Sequence, residues 1–190
     1  SYATSYIPTS GEVNGVTRLA DAASGAGSSD LINSTEGVLY AEIAALANDS
    51  TYRLISLSDG TNNNRVNLGF SSVSNQIMAS ISVGGVFQTS LTHSVSNVTQ
   101  YNKVAIKYKL NDVSLYVNGT EVNTDTSVTI PSSLNSLQFT SGSLSSVFYG
   151  NVKSVAVFKE ALNNDELECL TGEGYETFNA LALANNYTII

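Results

Sequence analysis

"KVAIKYKLNDVSLYVNGTEV", Lys103 to Val122, is the stretch that decides how this chain folds. Val104, Ile106, Tyr108 and Leu110 fall on one side of it, and Lys103, Lys107 and Lys109 on the other. That period of two is what a strand with one buried face requires. A two-residue turn at Asn111-Asp112 would set Leu110 opposite Val113, Tyr108 opposite Leu115 and Ile106 opposite Val117. A second turn at Asn118-Gly119 would set Val117 opposite Thr120, Tyr116 opposite Glu121 and Leu115 opposite Val122. Both put the apolar set on one face and the row Lys107, Tyr116, Glu121 on the other, so a slip of one residue would break the agreement. Asn118-Gly119-Thr120 also fits the N-glycosylation acceptor pattern, as do Asn33, Asn48, Asn97 and Asn186. In a chain this rich in Asn, Ser and Thr, chance accounts for most of these. Asn-Gly between alternating apolar residues reads first as a tight hairpin.

Strand signals continue on both sides. Further strands are expected over Val38 to Leu46, Tyr52 to Ser58, Arg65 to Phe70, Gln76 to Val83, Val86 to Leu91, Ser136 to Thr140 and Phe148 to Phe158. Turns separate them at "SDGTNNN" (Ser58 to Asn64), Gly84-Gly85 and "TSGS" (Thr140 to Ser143). A simple turn at Gly84-Gly85 pairs Val83 with Val86 but sets Ile81 against Gln88, so a bulge or longer loop is expected there. "VAVF", Val155 to Phe158, is apolar on both faces and reads as a fully buried strand. Helix is confined to the end: Asn163 is an N-cap candidate, Asp165 and Glu166 fill the first turn and Gly172 is the stop. A second short helix is expected over Tyr175 to Ala184. The fold class is therefore all-β, an antiparallel sandwich of two sheets with a short C-terminal helical element.

Composition narrows the function classes. With 190 residues the chain suits one sandwich domain over 31–172, with an N-terminal segment 1–30 packing on it and a helical or assembly segment 173–190. The apolar ending, with Ile189 and Ile190, favours docking or assembly. A formal net charge of −8 leaves no basic stripe for nucleic acid. Cys169 is the only cysteine, so no internal disulfide forms. No apolar run approaches the roughly 20 residues needed to insert in a bilayer as a helix. The chain opens on Ser1, as a processed form or a piece of a longer protein would.

Two segments together resemble the laminin-G-like, concanavalin A-like jelly-roll family: "YNKVAIKYKLNDVSLYVNGTEV" (Tyr101 to Val122) and "FYGNVKSVAVFKEALNNDELECL" (Phe148 to Leu170). This family hosts lectins, glycosidases and adhesion modules alike. The opening, "SYATSYIPTSGEVNGVTRLADAAS" (Ser1 to Ser24), resembles a segment that precedes such domains in bacteriophage virion proteins, including tail fibres. The resemblance implies a protein of the virion surface, extracellular, contacting a host surface glycan or other virion proteins, and suggests a homotrimer.

Candidate chemistry is sparse. The related glucanases carry Glu-x-Asp-x-x-Glu, and no such run occurs here. Glu42 reads as a solvent-facing strand residue, His93 as a surface residue of a polar connection, and Cys169 as a small apolar contact. No catalytic residue is assigned, and the expectation is a non-enzymatic protein that requires no cofactor. Laminin-G-like domains often hold calcium at the rim, and Asp49, Asp59 and Asn62 are the oxygen donors that would do so here. The same residues are also ordinary turn chemistry. For a sugar, which stacks on an aromatic and bonds to planar polar groups, the candidates are Asp59, Asn62, Asn64, Arg65, Tyr116 and Tyr149.

Overall fold

The computed structural model describes residues 28–143 and 145–172. The expectations for the N-terminal segment up to residue 27, for a helix over 175–184 and for the chain end lie outside the described residues. Ten strands run β1 (Glu36–Ala45), β2 (Arg53–Ser58), β3 (Arg65–Phe70), β4 (Gln76–Val83), β5 (Val86–Ser94), β6 (Asn102–Lys109), β7 (Val113–Val117), β8 (Thr120–Asp125), β9 (Ser136–Gln138) and β10 (Gly150–Phe158). Among the described residues one helix, α1 (Asn164–Thr171), follows. The strands form two antiparallel sheets, ordered β10-β1-β6-β7-β8 and β5-β4-β3-β2-β9, as the strand patterning requires.

Between the sheets lies one apolar layer, in which Leu39, Ile43, Ile55, Leu68, Ile81 and Ile106 are inaccessible to solvent. Each such side chain contributes about 1.5–3 kcal/mol of burial free energy. Phe148 closes the layer by stacking on Phe70, ring centres 5.9 Å apart. Tyr108 points inward as expected and donates its hydroxyl to the Asn33 carbonyl at 2.8 Å.

The hairpins of the opening stretch form, with two corrections. Lys109 and Asp112 exchange backbone hydrogen bonds, so the first turn is Leu110-Asn111 and Ile106 faces Leu115 rather than Val117. Asn111 sits at φ 57 and ties its side chain to the backbone of Val128, while Asp112 pairs with Lys107. These polar contacts select the turn, and Leu110 is left exposed at its tip. The register moves by two residues, so the face assignment survives. At the second turn Asn118 and Gly119 both take positive φ, and Val117–Thr120 and Tyr116–Glu121 pair as expected. A bulge then places Asn123, not Val122, opposite Leu115.

The "VAVF" stretch is only half-buried, because β10 is the sheet's edge and pairs with β1 alone. Its two apolar faces have different neighbours: Val155 and Val157 meet the core, Ala156 and Phe158 meet the helix side. His93 lies within β5 opposite Ile77, not in a connection. Helix α1 begins as expected, with a capping box in which Asn163 accepts from the Glu166 amide and Glu166 accepts from the Asn163 amide. It covers the outer face of the first sheet through Leu167 and Leu170.

The helix end is latched to the second turn. Lys103 donates to the Gly172 carbonyl, Gly119 donates to the Thr171 hydroxyl, and a Cβ on Gly119 would stand 3.0 Å from the Gly172 Cα. Gly119 also holds φ +87. Gly119→Ala is therefore expected to cost about 1 kcal/mol or more and to lower Tm by about 2–4 °C in a thermal melt. An unchanged Tm would mean that the latch carries no strain.

Candidate functional site

Three segments meet at the end of the sandwich where β2 runs into β3. The first is the 59–64 loop. Asp59 folds it: one carboxylate oxygen accepts from the Thr61 amide and hydroxyl at 2.9 and 2.6 Å, the other from the Asn64 amide group at 2.8 Å. Burial alone would raise the Asp59 pKa, but these hydrogen bonds outweigh it and hold the group below its ordinary value. The second segment is the Gly84-Gly85 tip of the β4–β5 hairpin, whose two amides donate to the Asn64 side chain and the Asn63 carbonyl. The third is the stretch 139–143 that follows β9. There Gly142, at φ +100, packs so tightly on the Thr61 carbonyl that a Cβ would come within 2.5 Å of it. Asn62 joins this stretch to the loop by donating to the Ser143 hydroxyl and accepting from Ser141.

Arg65 stands where these segments converge. Its Nη1 donates to the Asn62 carbonyl at 2.6 Å, and its guanidinium lies 5.5 Å from the centre of the Phe87 ring. Its Nε is buried with no hydrogen-bond partner, as are Ser82 Oγ, Asn67 Oδ1 and Ser56 Oγ on the same outer face of the second sheet. Burial lowers the Arg65 pKa, although a guanidinium keeps its charge. Phe87 is 62% exposed. It is outward because β5 carries the expected bulge: Phe87 pairs with Ser82 and Thr89 with Ile81, with Gln88 as the extra residue. Phe87 and Leu91 share strand parity, and the bulge alone lets the first face out and the second face the core.

Asp59, Asn62, Asn64 and Arg65 are thus brought together as a set. Tyr116 is not among them. It lies on the outer face of the other sheet, but helix α1 covers it completely, and its hydroxyl donates to Glu121 at 2.5 Å. Desolvation first, and that hydrogen bond second, push its pKa up. A sugar platform at Tyr116 is ruled out by this burial. Tyr149 is 58% exposed but stands at the opposite end of the sandwich, next to Gly150, which pairs with Ala45. Asp49 is at that opposite end too, separated from Asp59 by the length of β2, about 20 Å. The trio expected for calcium therefore does not converge. Asp49 instead pairs with Arg53 at 2.7 Å, and both Asp59 oxygens are engaged within its loop. Among the described residues no group of three or more His, Cys, Asp or Glu is placed to hold a metal ion.

Glu42, expected to face solvent, takes Lys153 at 2.9 Å, and the same ammonium lies 4.4 Å from the Tyr101 ring centre. Reasoning from sequence missed Phe87, Ser141 and Ser143. The register mismatch at Gly84-Gly85 was the signal for Phe87. The two serines had only the turn at Gly142 to mark them.

A profile of the family Laminin_G_3, described as the concanavalin A-like lectin/glucanases superfamily, matches residues 27–168. No curated protein sequence matches the chain. Among solved structures, the fold is similar to the CBM40 of Ruminococcus gnavus IT-sialidase bound to α2,3-sialyllactose, with TM-score 0.61, 17% identity, and 74% of this chain and 84% of that chain covered. It is also similar to domain 4 of the extracellular GH43 arabinanase AbnA from Geobacillus stearothermophilus, in complex with arabinotriose. That match has TM-score 0.58 and 13% identity, over 78% of this chain and 69% of that chain. A heptameric SAP-like pentraxin from Limulus polyphemus shares the fold at TM-score 0.54 and 11% identity, over 75% and 72%.

The Asp49–Arg53 pair makes stability depend on pH. The hydrogen bond from Arg53 holds the Asp49 pKa at about 2, against 3.8 for the free group. A carboxylate whose folded pKa lies below its unfolded value stabilises above the unfolded pKa and loses that effect as pH falls through the folded one. Denaturant midpoints are expected to drop between about pH 4 and 2 by less in Asp49→Asn than in the wild type. Parallel curves would remove the pair from the acid response.

Proposed function

Because this chain belongs to the concanavalin A-like lectin/glucanases superfamily, we propose that it is a carbohydrate-recognition module whose ligand sits on the Arg65–Phe87 rim. One observation carries this: an exposed aromatic ring is held by the Arg65 guanidinium, which also bonds to the 59–64 loop, and the Asn62 side chain of that loop joins the hydroxyls of Ser141 and Ser143. A sugar offers an apolar C–H face to such a ring and hydroxyls to such neighbours. Two of the structural neighbours are domains in complex with sugars, a CBM40 with sialyllactose and an arabinanase domain with arabinotriose, which supports the reading at the level of the fold. Hydrolysis would need two carboxylates flanking one bond, and Asp59 is the one carboxylate of the three rim segments. The role is therefore recognition without catalysis. The resemblance of Ser1 to Ser24 to virion proteins gives the setting: display on a phage surface, toward a host glycan.

A structural module that packs against other subunits is the second reading. It draws on the opposite end of the sandwich, where Leu46, Tyr52, Val73 and Tyr149 are all exposed.

Binding of the purified chain to an array of bacterial surface polysaccharides, with and without Ca²⁺, separates the two. The expected result is saturable, calcium-independent binding that Phe87→Ala weakens about tenfold. A blank array on folded protein would favour the structural module.

A further inference from the structure

We infer that the rim takes a carboxylate-bearing sugar, with Arg65 as the residue that reads the acid; this rests on the glycan reading above. The chain has 16 acidic and 8 basic residues, so counter-charges for its cations are plentiful. Arg53, Lys107, Lys109 and Lys153 each have a carboxylate partner, at 2.7, 2.8, 2.8 and 2.9 Å. Arg65 has none. One of its nitrogens is spent on the Asn62 carbonyl, one face lies on Phe87, and Nε is buried without a partner.

A guanidinium drawn partly out of water without a counter-charge is costly. Here it is held between the exposed Phe87 ring and the 59–64 loop. Asp59 does not relieve it, because both Asp59 oxygens are bound to Thr61 and Asn64. The Ser82 hydroxyl, opposite Arg65 on β4, and the Asn67 side-chain oxygen, two residues along β3, are also buried and unpartnered. What the site lacks is an anionic acceptor carried on a frame of hydroxyls. A sugar carboxylate meets that description, and a neutral sugar would leave the guanidinium unpaired. Charge-assisted hydrogen bonds from a guanidinium to a carboxylate are the strong ones. Sialic and hexuronic acids share this chemistry.

The test is calorimetric titration of the full chain with sialyllactose, with an oligogalacturonate, and with the methyl ester of each. Either acid is expected to bind about ten- to a hundredfold more tightly than its own ester. Arg65→Gln should erase that difference and Arg65→Lys should keep part of it. Phe87→Ala should weaken acid and ester alike. The two acids compared with each other identify the source of the carboxylate. Should Arg65→Gln fail to fold, the acid–ester difference in the wild type still decides. Acid and ester binding equally in a Phe87-dependent way would overturn the inference and leave the glycan reading standing. An acid preference that survives in folded Arg65→Gln would overturn the assignment to Arg65. Both readings fall together if these sugars and the polysaccharide array are all blank.

Discussion

A regular strand commits alternate residues to opposite faces, and a residue can leave that commitment only where the ladder is interrupted. This protein depends on three such interruptions. In β5 the extra residue Gln88 sends Phe87 outward and keeps Leu91 in the core. In β10 the pairing steps from Glu42–Ser154 to Ile43–Val152, which turns Lys153 out toward Glu42 and Tyr101. In β8 the step at Leu115 brings Asn123 inward, where its amide donates to the Thr92 carbonyl of β5. Without the first two, an apolar residue or a charge would stand on the wrong face. The single apolar layer between the sheets exists because parity is corrected where the sequence violates it.

The same sheets have outer faces, and these are treated differently. The first sheet's outer face is partly apolar at Val38, Tyr40 and Ala105, and α1 makes it a second, smaller core with Tyr116 at its centre. The helix is pinned at its N-terminus by a capping box and at its C-terminus by the hairpin tip, so its position follows from two local motifs far apart in sequence. The second sheet's outer face is polar, with Ser56, Ser58, Asn67, Ser80 and Ser82 buried on it. Several of these atoms lack partners, which is costly in a low-dielectric setting.

Arg65 links that polar face to the exposed rim. Its side chain crosses from β3 to the Phe87 ring, and its hydrogen bond to the 59–64 loop ties the loop's shape to the ring's position. The loop is rigid for reasons internal to itself, since Asp59 serves as its fold-back anchor and the Gly84-Gly85 amides clamp it from the neighbouring hairpin. A rim whose loop is held by hydrogen bonds and whose ring rests against a guanidinium is preorganised, which reduces the ordering cost of binding.

Period-two patterning determined the strands, and turn chemistry determined where they reverse, because both act within a few residues. β3 and β4 have the expected bounds, and the N-cap at Asn163 and the turn at Asn118-Gly119 follow from local hydrogen bonding alone. The clustering of Asp59, Asn62, Asn64 and Arg65 was legible for the same reason, since they belong to one loop and its first strand residue. Tertiary structure decided the rest. Only packing could show that the outward Tyr116 lies beneath a helix some fifty residues later in the chain, that Asp49 and Asp59 end up at opposite ends of β2, or that the 139–143 stretch folds onto Asn62. The first turn's register was likewise settled by Val128, a long-range partner for Asn111. Alternation specifies which face a residue joins, but what that face meets depends on contacts distant in sequence.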